Sequence, residues 1–85
     1  MRWVVYILKC GDNSLYTGIT TDLPARLAAH RAGTGAKYTR GRGPLHLVFQ
    51  EQASDRSAAT QRESEIKALD VRAKRRLIAS HEGVS

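Results

Sequence analysis

Two short segments near the start of the chain decide the fold: Trp3–Lys9 (WVVYILK) and Leu15–Thr20 (LYTGIT). Both are rich in β-branched and aromatic residues, which is typical of strands. The residues Gly11–Ser14 (GDNS) between them tolerate left-handed backbone or hydrogen-bond to their own main chain, and such clusters favour tight turns. The sequence therefore predicts an antiparallel hairpin.

The turn also fixes which residues pair across the hairpin. If residues 11–13 form the loop, Tyr6 pairs with Gly18. Tyr16 then lies on the same face as Tyr6, as a diagonal neighbour about 7–8 Å away, and Gly18 leaves space beside the first ring. A slip of one residue would separate the two tyrosines. Packing in the core is the simpler interpretation of this pair, and a shared polar site is the alternative.

A first helix is expected after the hairpin. Asp22 is a suitable N-cap, and Pro24 in the first turn loses no hydrogen bond there. Gly33 suits the position where a helix ends in left-handed backbone. The inward stripe is expected to contain Leu23, Leu27 and Ala28.

One strand and two helices are expected after residue 44. Leu45–Glu51 predicts the strand, whose alternation gives two faces: Leu45, Leu47 and Phe49 on one, and His46, Val48 and Gln50 on the other. Ser54 is expected to cap the second helix and Asp70 the third, over Val71–Ala79. The apolar positions of the second helix are Ala58, Ala59, Ile66 and Leu69. The order β-β-α-β-α-α predicts a small α+β domain that spans residues 1–85.

The composition restricts the class of protein. The 85 residues include 14 Lys+Arg and 8 Asp+Glu, and the resulting charge of +6 favours a polyanionic partner, most often nucleic acid. The single cysteine, Cys10, excludes an internal disulfide. A self-contained structural zinc site is not indicated, because its roughly four Cys or His ligands would require every cysteine and histidine of the chain. The longest apolar run, Trp3–Leu8, is far shorter than the ~20 residues that span a bilayer. We therefore expect a reduced, cytoplasmic protein with no membrane partner.

A basic loop (residues 33–44) contains four of the seven glycines and three cations, Lys37, Arg40 and Arg42, without an acid. Its Gly-x-Gly pairs do not lie between a strand and a helix, so a nucleotide-binding pocket is not indicated.

Three further side chains are placed at the edge of the core. Arg26 and His30 are spaced i, i+4 and share one face of the first helix. Glu63 falls on the inward stripe of the second helix, where a carboxylate must be paired, protonated or metal-bound. Lys67, four residues later, can pair with it, and this ion pair is the simplest interpretation.

Together these groups suit phosphodiester cleavage. A single carboxylate can anchor one Mg²⁺ or Mn²⁺ that keeps several waters and binds phosphate. A guanidinium binds the non-bridging oxygens. A phenol can accept a proton from the attacking water, provided that nearby cations lower its pKa from ~10.

The order and spacing of five motifs resemble the GIY-YIG nuclease superfamily over nearly the whole chain. The resemblance is strongest to its small stand-alone bacterial members. These are related to the catalytic domain of structure-specific endonucleases. The motifs are Val4-Val5-Tyr6, Tyr16-Thr17-Gly18, Arg26-Leu-Ala-Ala-His30, the stretch Gly33–Thr39 followed by Arg42-Gly-Pro44, and Glu63-Ser-Glu-Ile-Lys67. The resemblance implies a three-stranded antiparallel sheet flanked by helices. It also implies metal-dependent cleavage of DNA.

The resemblance assigns a role to each motif residue. Tyr6 is the expected general base. His30 is expected to position Tyr6 or to relay a proton. Tyr16 is expected to orient the water or the phosphate, and Arg26 to stabilise the transition state. Glu63 is the one expected protein ligand of the divalent cation. Four cations are expected to contact nucleic-acid phosphates: Lys37, Arg40, Arg42 and Lys67.

Some features depart from the family pattern. Val4 and Thr17 replace the first glycine and the second isoleucine of the namesake motif, and the asparagine that longer relatives carry beyond the glutamate helix is missing. No targeting motif is present, which suggests a protein partner for targeting. We expect an endonuclease acting on branched, damaged or single-stranded DNA, with RNA, strand polarity and oligomeric state left open. The alternatives are a nucleic-acid-binding module of the same fold that cuts little, and a basic RNA- or ribosome-associated protein in which Glu63 has no role.

Overall fold

A computed structural model of the chain describes residues 2–83 and has the elements in the predicted order. The strands and helices are β1 (Trp3–Lys9), β2 (Leu15–Thr20), α1 (Leu23–Arg31), β3 (His46–Ala53), α2 (Arg56–Lys67) and α3 (Val71–Gly83), with a 3₁₀ turn at Lys37–Thr39. The strands form an antiparallel sheet in the order β2-β1-β3. The predicted α+β class and element order are confirmed. Within residues 2–83, no helix has both the length and the apolar character needed to cross a membrane.

The hairpin of β1 and β2 has the predicted register. Tyr6 lies opposite Gly18, and Leu8 lies opposite Tyr16. The turn closes through Asn13, whose φ of 68° is left-handed. Because side chains alternate between faces, this register places both tyrosines on the same side of the sheet.

The predicted faces of β3 are wrong, because the strand contains a bulge. Phe49 lies opposite Ile7, but Leu47 lies opposite Leu8, so Val48 is an extra residue without a partner on β1. A bulge shifts the alternation by one position. Leu47 and Phe49, which were predicted to share a face, consequently lie on opposite faces. The other predicted face is divided in the same way, since His46 and Gln50 also lie on opposite faces.

The main core lies on the sheet face opposite the tyrosines. It is built from buried apolar residues: Val5, Ile7, Phe49, Ala59 and Ile66. Two of these belong to α2, so burial of its apolar stripe fixes that helix against the sheet. Ala28 and Leu69, which were expected to point inward, are exposed.

An aspartate caps each helix. Asp22 caps α1 and Asp70 caps α3, as predicted, but α2 is capped by Asp55 rather than Ser54. In all three caps a carboxylate oxygen accepts a hydrogen bond from the backbone N–H three residues later, at 2.7–3.1 Å. Serine and aspartate cap helices almost equally well, so two adjacent candidates could not be separated by type alone.

Candidate active site

The tyrosine face of the hairpin has room for two rings only because Gly18 has no side chain. A Cβ atom added at Gly18 would lie 2.6 Å from Tyr6 Oη and 3.1 Å from Tyr16 Cε2. The Tyr6 side chain is fully buried, and its ring centroid lies 6.4 Å from that of Tyr16. The two phenols therefore share one compact site beneath α1.

A buried hydrogen-bonded chain connects Tyr6 to the basic loop. Tyr6 Oη lies 2.8 Å from His30 Nε2, and His30 Nδ1 lies 2.9 Å from Thr39 Oγ1. The Thr39 hydroxyl in turn donates to the Ala36 carbonyl oxygen at 3.0 Å. Gly35 makes the close approach of this loop possible, since a Cβ there would lie 2.6 Å from His30 Nδ1. Sequence reasoning identified His30 but missed Thr39, whose spacing carries no helical or strand periodicity.

Burial sets the protonation of this pair. It raises the pKa of Tyr6 above its ordinary value of 10.0, and the neighbouring Tyr16 and Glu63 add to the rise while the Arg26 guanidinium opposes it. Burial, and secondarily Arg26, lowers the pKa of His30 below 6.5. At neutral pH the phenol is therefore protonated and the imidazole is neutral. Arg26 thus lowers the phenol pKa, as a base with nearby cations requires, but the effect of burial is larger.

Glu63 occupies the inward side of α2, between two buried apolar residues of the core. Its side chain is 20% exposed and its Oε2 lies 3.4 Å from Lys67 Nζ, so the ion pair that the spacing suggested is present. The neighbouring Glu65 points outward and pairs with Arg62 at 3.3 Å. Glu63 is thus a carboxylate held at the rim of the site while still accessible from solvent.

The donor set for a metal is small. Within residues 2–83, no group of three or more His, Cys, Asp and Glu side chains could hold a metal ion. A divalent cation here would depend on Glu63, with waters and phosphate oxygens as its other ligands. Mg²⁺ is suited to such a site, since it usually keeps several waters and binds through one or two carboxylates plus phosphate.

The three cations of the basic loop have different surroundings. Arg42 forms an ion pair with Asp12 of the hairpin turn. The loop itself contains no acidic residue, so this carboxylate comes from another part of the chain. Arg40 Nε donates to the Gly33 carbonyl oxygen at 3.2 Å. Lys37 is exposed, and the described residues give its ammonium group no ion-pair partner. Lys37 is therefore the cation of the loop that is most available to a phosphate.

Tyr38 is a second residue that sequence reasoning missed. Its ring stacks on that of Tyr16, with centroids 5.8 Å apart and an interplanar angle of 28°, and the Arg42 guanidinium lies 4.5 Å from its centroid. A cleft of about 340 Å³ opens beside this stack and is lined by Leu15, Tyr16, Thr17, Tyr38, Lys67 and Lys74. The available signal was that Tyr38 is the single aromatic residue among the cations of the basic loop.

The structure thus brings together the residues predicted for chemistry. Arg26 and Glu63 both lie close enough to Tyr6 to influence its pKa, while His30 contacts it directly. Tyr16 lies beside them, 5.3 Å from His30 between ring centroids. The predicted phosphate-binding residues are more dispersed: Lys67 contacts Glu63, whereas the other three cations lie on the basic loop.

Comparisons with known proteins show what the chain is similar to. The sequence model described as the GIY-YIG catalytic domain matches residues 2–76. A UPF0213 protein of Natronomonas pharaonis is 54% identical over 79 residues, which cover 93% of each chain. A UPF0213 protein of Staphylococcus haemolyticus is 55% identical and covers 87% of this chain and 90% of its own.

Two solved structures share the fold. The solution NMR structure of a UPF0213 protein from Bacillus halodurans has a TM-score of 0.61 at 47% identity, covering 93% of this chain and 84% of its own. An E. faecalis protein, also solved by NMR, has a TM-score of 0.65 at 37% identity and covers 95% of this chain and 88% of its own.

Proposed function

This chain belongs to the GIY-YIG family, and we propose that it is an endonuclease that hydrolyses DNA phosphodiester bonds at branched, damaged or single-stranded sites, using Mg²⁺ or Mn²⁺. One observation carries the proposal: the buried pair of Tyr6 and His30, 2.8 Å apart, with Arg26 and Glu63 near enough to influence the pKa of Tyr6. Binding of nucleic acid alone needs only an exposed basic surface. A buried phenol–imidazole pair whose phenol is influenced by a nearby carboxylate supports chemistry.

The first role is that of the base. The raised pKa of Tyr6 leaves its phenol protonated at neutral pH, so it can accept a proton only if its own proton leaves. The neutral His30 is the group that can take it, at hydrogen-bond distance. The attacking water then gives one proton to the pair, its oxygen bonds to phosphorus, and the bond to the leaving oxygen breaks. That oxygen takes a proton from solvent.

Arg26 and Tyr16 provide the binding of the reacting phosphate. A guanidinium presents a planar fork of donors that matches two phosphate oxygens and stabilises the charge of the transition state. Arg26 is half-buried on α1, one turn before His30, so its charge acts in an environment with little water. The half-buried Tyr16 phenol lies beside the pair and orients the water or the phosphate.

Glu63 is the residue that would hold the metal ion. Its partial exposure and its influence on the pKa of Tyr6 fit a site with one protein ligand. A bound divalent ion supplies Lewis-acid stabilisation of the phosphate charge. Holding the ion requires Glu63 to exchange its contact with Lys67, which leaves the ammonium group free to bind a neighbouring phosphate.

The cations of the basic loop hold the DNA backbone. Lys37, Arg40 and Arg42 contribute to the charge of +6 and approach the site from the basic loop. Contacts to phosphates fix the position of a nucleic acid and make its affinity depend on salt, but they do not select sequence. RNA presents the same phosphates and is the natural second substrate to test.

A cleavage assay with matched variants tests the proposal. Glu63→Gln removes the carboxylate charge, and Glu65→Gln removes an exposed carboxylate two residues away as a control. We expect the wild type and Glu65→Gln to cut plasmid, flap or single-stranded DNA with Mg²⁺ or Mn²⁺ and to be inactive in EDTA, and Glu63→Gln to be inactive throughout. Equal cutting by all three proteins would contradict the role of Glu63.

A nucleic-acid-binding module that cuts little is the second candidate. The ion pair of Glu63 with Lys67 favours it, because a carboxylate that is already neutralised needs no metal. This alternative predicts DNA binding without cleavage by the wild type. It also predicts that Glu63→Gln leaves the affinity unchanged.

A further inference from the structure

The orientation of the Thr39 hydroxyl is determined by its two hydrogen-bond partners. Thr39 Oγ1 lies 3.0 Å from the Ala36 carbonyl oxygen and 2.9 Å from His30 Nδ1. A carbonyl oxygen can only accept a hydrogen bond, and a hydroxyl has one proton to give. Thr39 therefore donates to Ala36 and presents a lone pair to the imidazole. His30 Nδ1 must then carry a proton and donate it to Thr39.

One contact acts in the opposite sense. The backbone N–H of Ala36 also points at His30 Nδ1, at 3.4 Å, and would favour an unprotonated nitrogen. That distance lies beyond the usual 2.7–3.2 Å range for an N–H donor, whereas the contact with Thr39 lies within it. The shorter contact determines the proton position.

We infer that Thr39 is a positioning residue that fixes His30 in the tautomer protonated at Nδ1, so that Nε2 is left to accept the Tyr6 proton. Which imidazole nitrogen is protonated is generally set by the hydrogen bond that the other nitrogen makes. With Nδ1 protonated, the Tyr6 hydroxyl donates to Nε2 across the observed 2.8 Å. The opposite tautomer would place a proton on Nε2 and leave the phenol proton without a destination.

The catalytic meaning of this arrangement rests on the proposed function. As a water proton passes to Tyr6 Oη, the phenol proton passes to His30 Nε2, and the resulting imidazolium donates to both Tyr6 and Thr39. No proton is lost or created in the transfer. The tautomer itself can be observed without any substrate.

Thr39 is the last residue of the 3₁₀ turn Lys37–Thr39 in the basic loop. It is only 2% exposed and contacts His30 of α1. The same short turn carries Lys37, which faces solvent. The segment expected to hold phosphate is therefore also the one that orients the histidine.

Nitrogen NMR of the histidine rings tests the inference. Protein labelled with ¹⁵N is examined by two-bond ¹H–¹⁵N correlation at pH 7.5 as wild type, Thr39→Ser and Thr39→Val. We expect the wild type and the serine variant to show a protonated Nδ1 and an unprotonated Nε2 in His30. Thr39→Val keeps the shape but removes the hydroxyl, so both nitrogens should move toward averaged shifts that indicate mixed tautomers.

A kinetic comparison uses the same variants. Partners that orient a metal-ligating histidine through its other nitrogen contribute about 10–100-fold, and we take the same range for His30. We expect Thr39→Val to lower kcat by that factor with little change in KM, and Thr39→Ser to restore most of the loss.

Two results would overturn the inference: a wild-type His30 protonated at Nε2, or a Thr39→Val variant with the wild-type tautomer. The first needs no variant, so the inference stays testable even if Thr39→Val does not fold. A wild type that shows the inferred tautomer yet cuts no DNA would support the role of Thr39 in positioning and contradict the proposed function instead.

Discussion

Removal of one oxygen atom, in Tyr6→Phe, probes both the stability and the chemistry of the site. The phenol is buried, and its hydroxyl is the partner of His30 Nε2 at 2.8 Å. Phenylalanine fills nearly the same space, so the ring packing on Gly18 and Tyr16 is retained. The variant therefore isolates the hydroxyl from the volume of the side chain.

Tyr6→Phe leaves His30 Nε2 buried without its hydrogen-bond partner, and the expected loss of stability follows from this. A buried polar group that loses its partner costs about 1–3 kcal/mol. In a domain of 60–100 residues each kcal/mol shifts Tm by about 4–8 °C. We expect Tyr6→Phe to melt about 5–20 °C below the wild type by circular dichroism, and to remain folded at an assay temperature of about 20 °C.

The expected effect on cleavage is larger. Loss of a general base costs ~10²–10⁴ in rate. Single-turnover cleavage of a labelled oligonucleotide gives that rate, and Tyr38→Phe is the control because it removes an exposed hydroxyl that has no hydrogen-bond partner among the described residues. A folded Tyr6→Phe that loses less than tenfold, or a Tyr38→Phe that loses as much, would refute the assignment of Tyr6 as the base.

Three further predictions concern packing, DNA affinity and pH. Gly18→Ala places a Cβ 2.6 Å from Tyr6 Oη, so thermal melting should show a loss of about 1–3 kcal/mol, and an unchanged Tm would contradict the close packing of the site. Lys37→Ala should reduce the slope of log affinity against log salt by about one, measured by anisotropy in the Glu63→Gln background; an identical slope would mean that this lysine does not contact phosphate. Because the pKa of His30 is lowered on folding, the unfolded chain binds more protons below pH 6.5, so stability should fall as the pH drops from 7 toward 5. His30→Gln should weaken that dependence in urea titrations, and an unaltered pH profile would argue against a buried neutral histidine.

Most of the fold could be predicted because its decisive signals are local. The turn after β1 fixes the register of the hairpin, and that register alone puts Tyr6 and Tyr16 together and Gly18 between them. The bulge at Val48 could not be predicted, because an extra residue in a strand leaves the composition of the strand unchanged.

The parts of the site that depend on tertiary contacts could not be predicted from the sequence. Spacing brought Arg26 and His30 to one helix face, but it gave no reason to pair His30 with Thr39 across an irregular loop. The direction of the Tyr6 pKa shift could not be predicted either, since the effect of burial depends on how closely α1 covers the sheet.

The most direct test of the central claim, that Tyr6 and His30 act as one base, is a double-mutant cycle in single-turnover cleavage. Tyr6→Phe, His30→Gln and the double variant are compared with the wild type on the DNA that is cut fastest. Residues that work as a unit are strongly non-additive, so we predict that the double variant is about as slow as the slower single variant. Rate losses that multiply in the double variant would contradict the account.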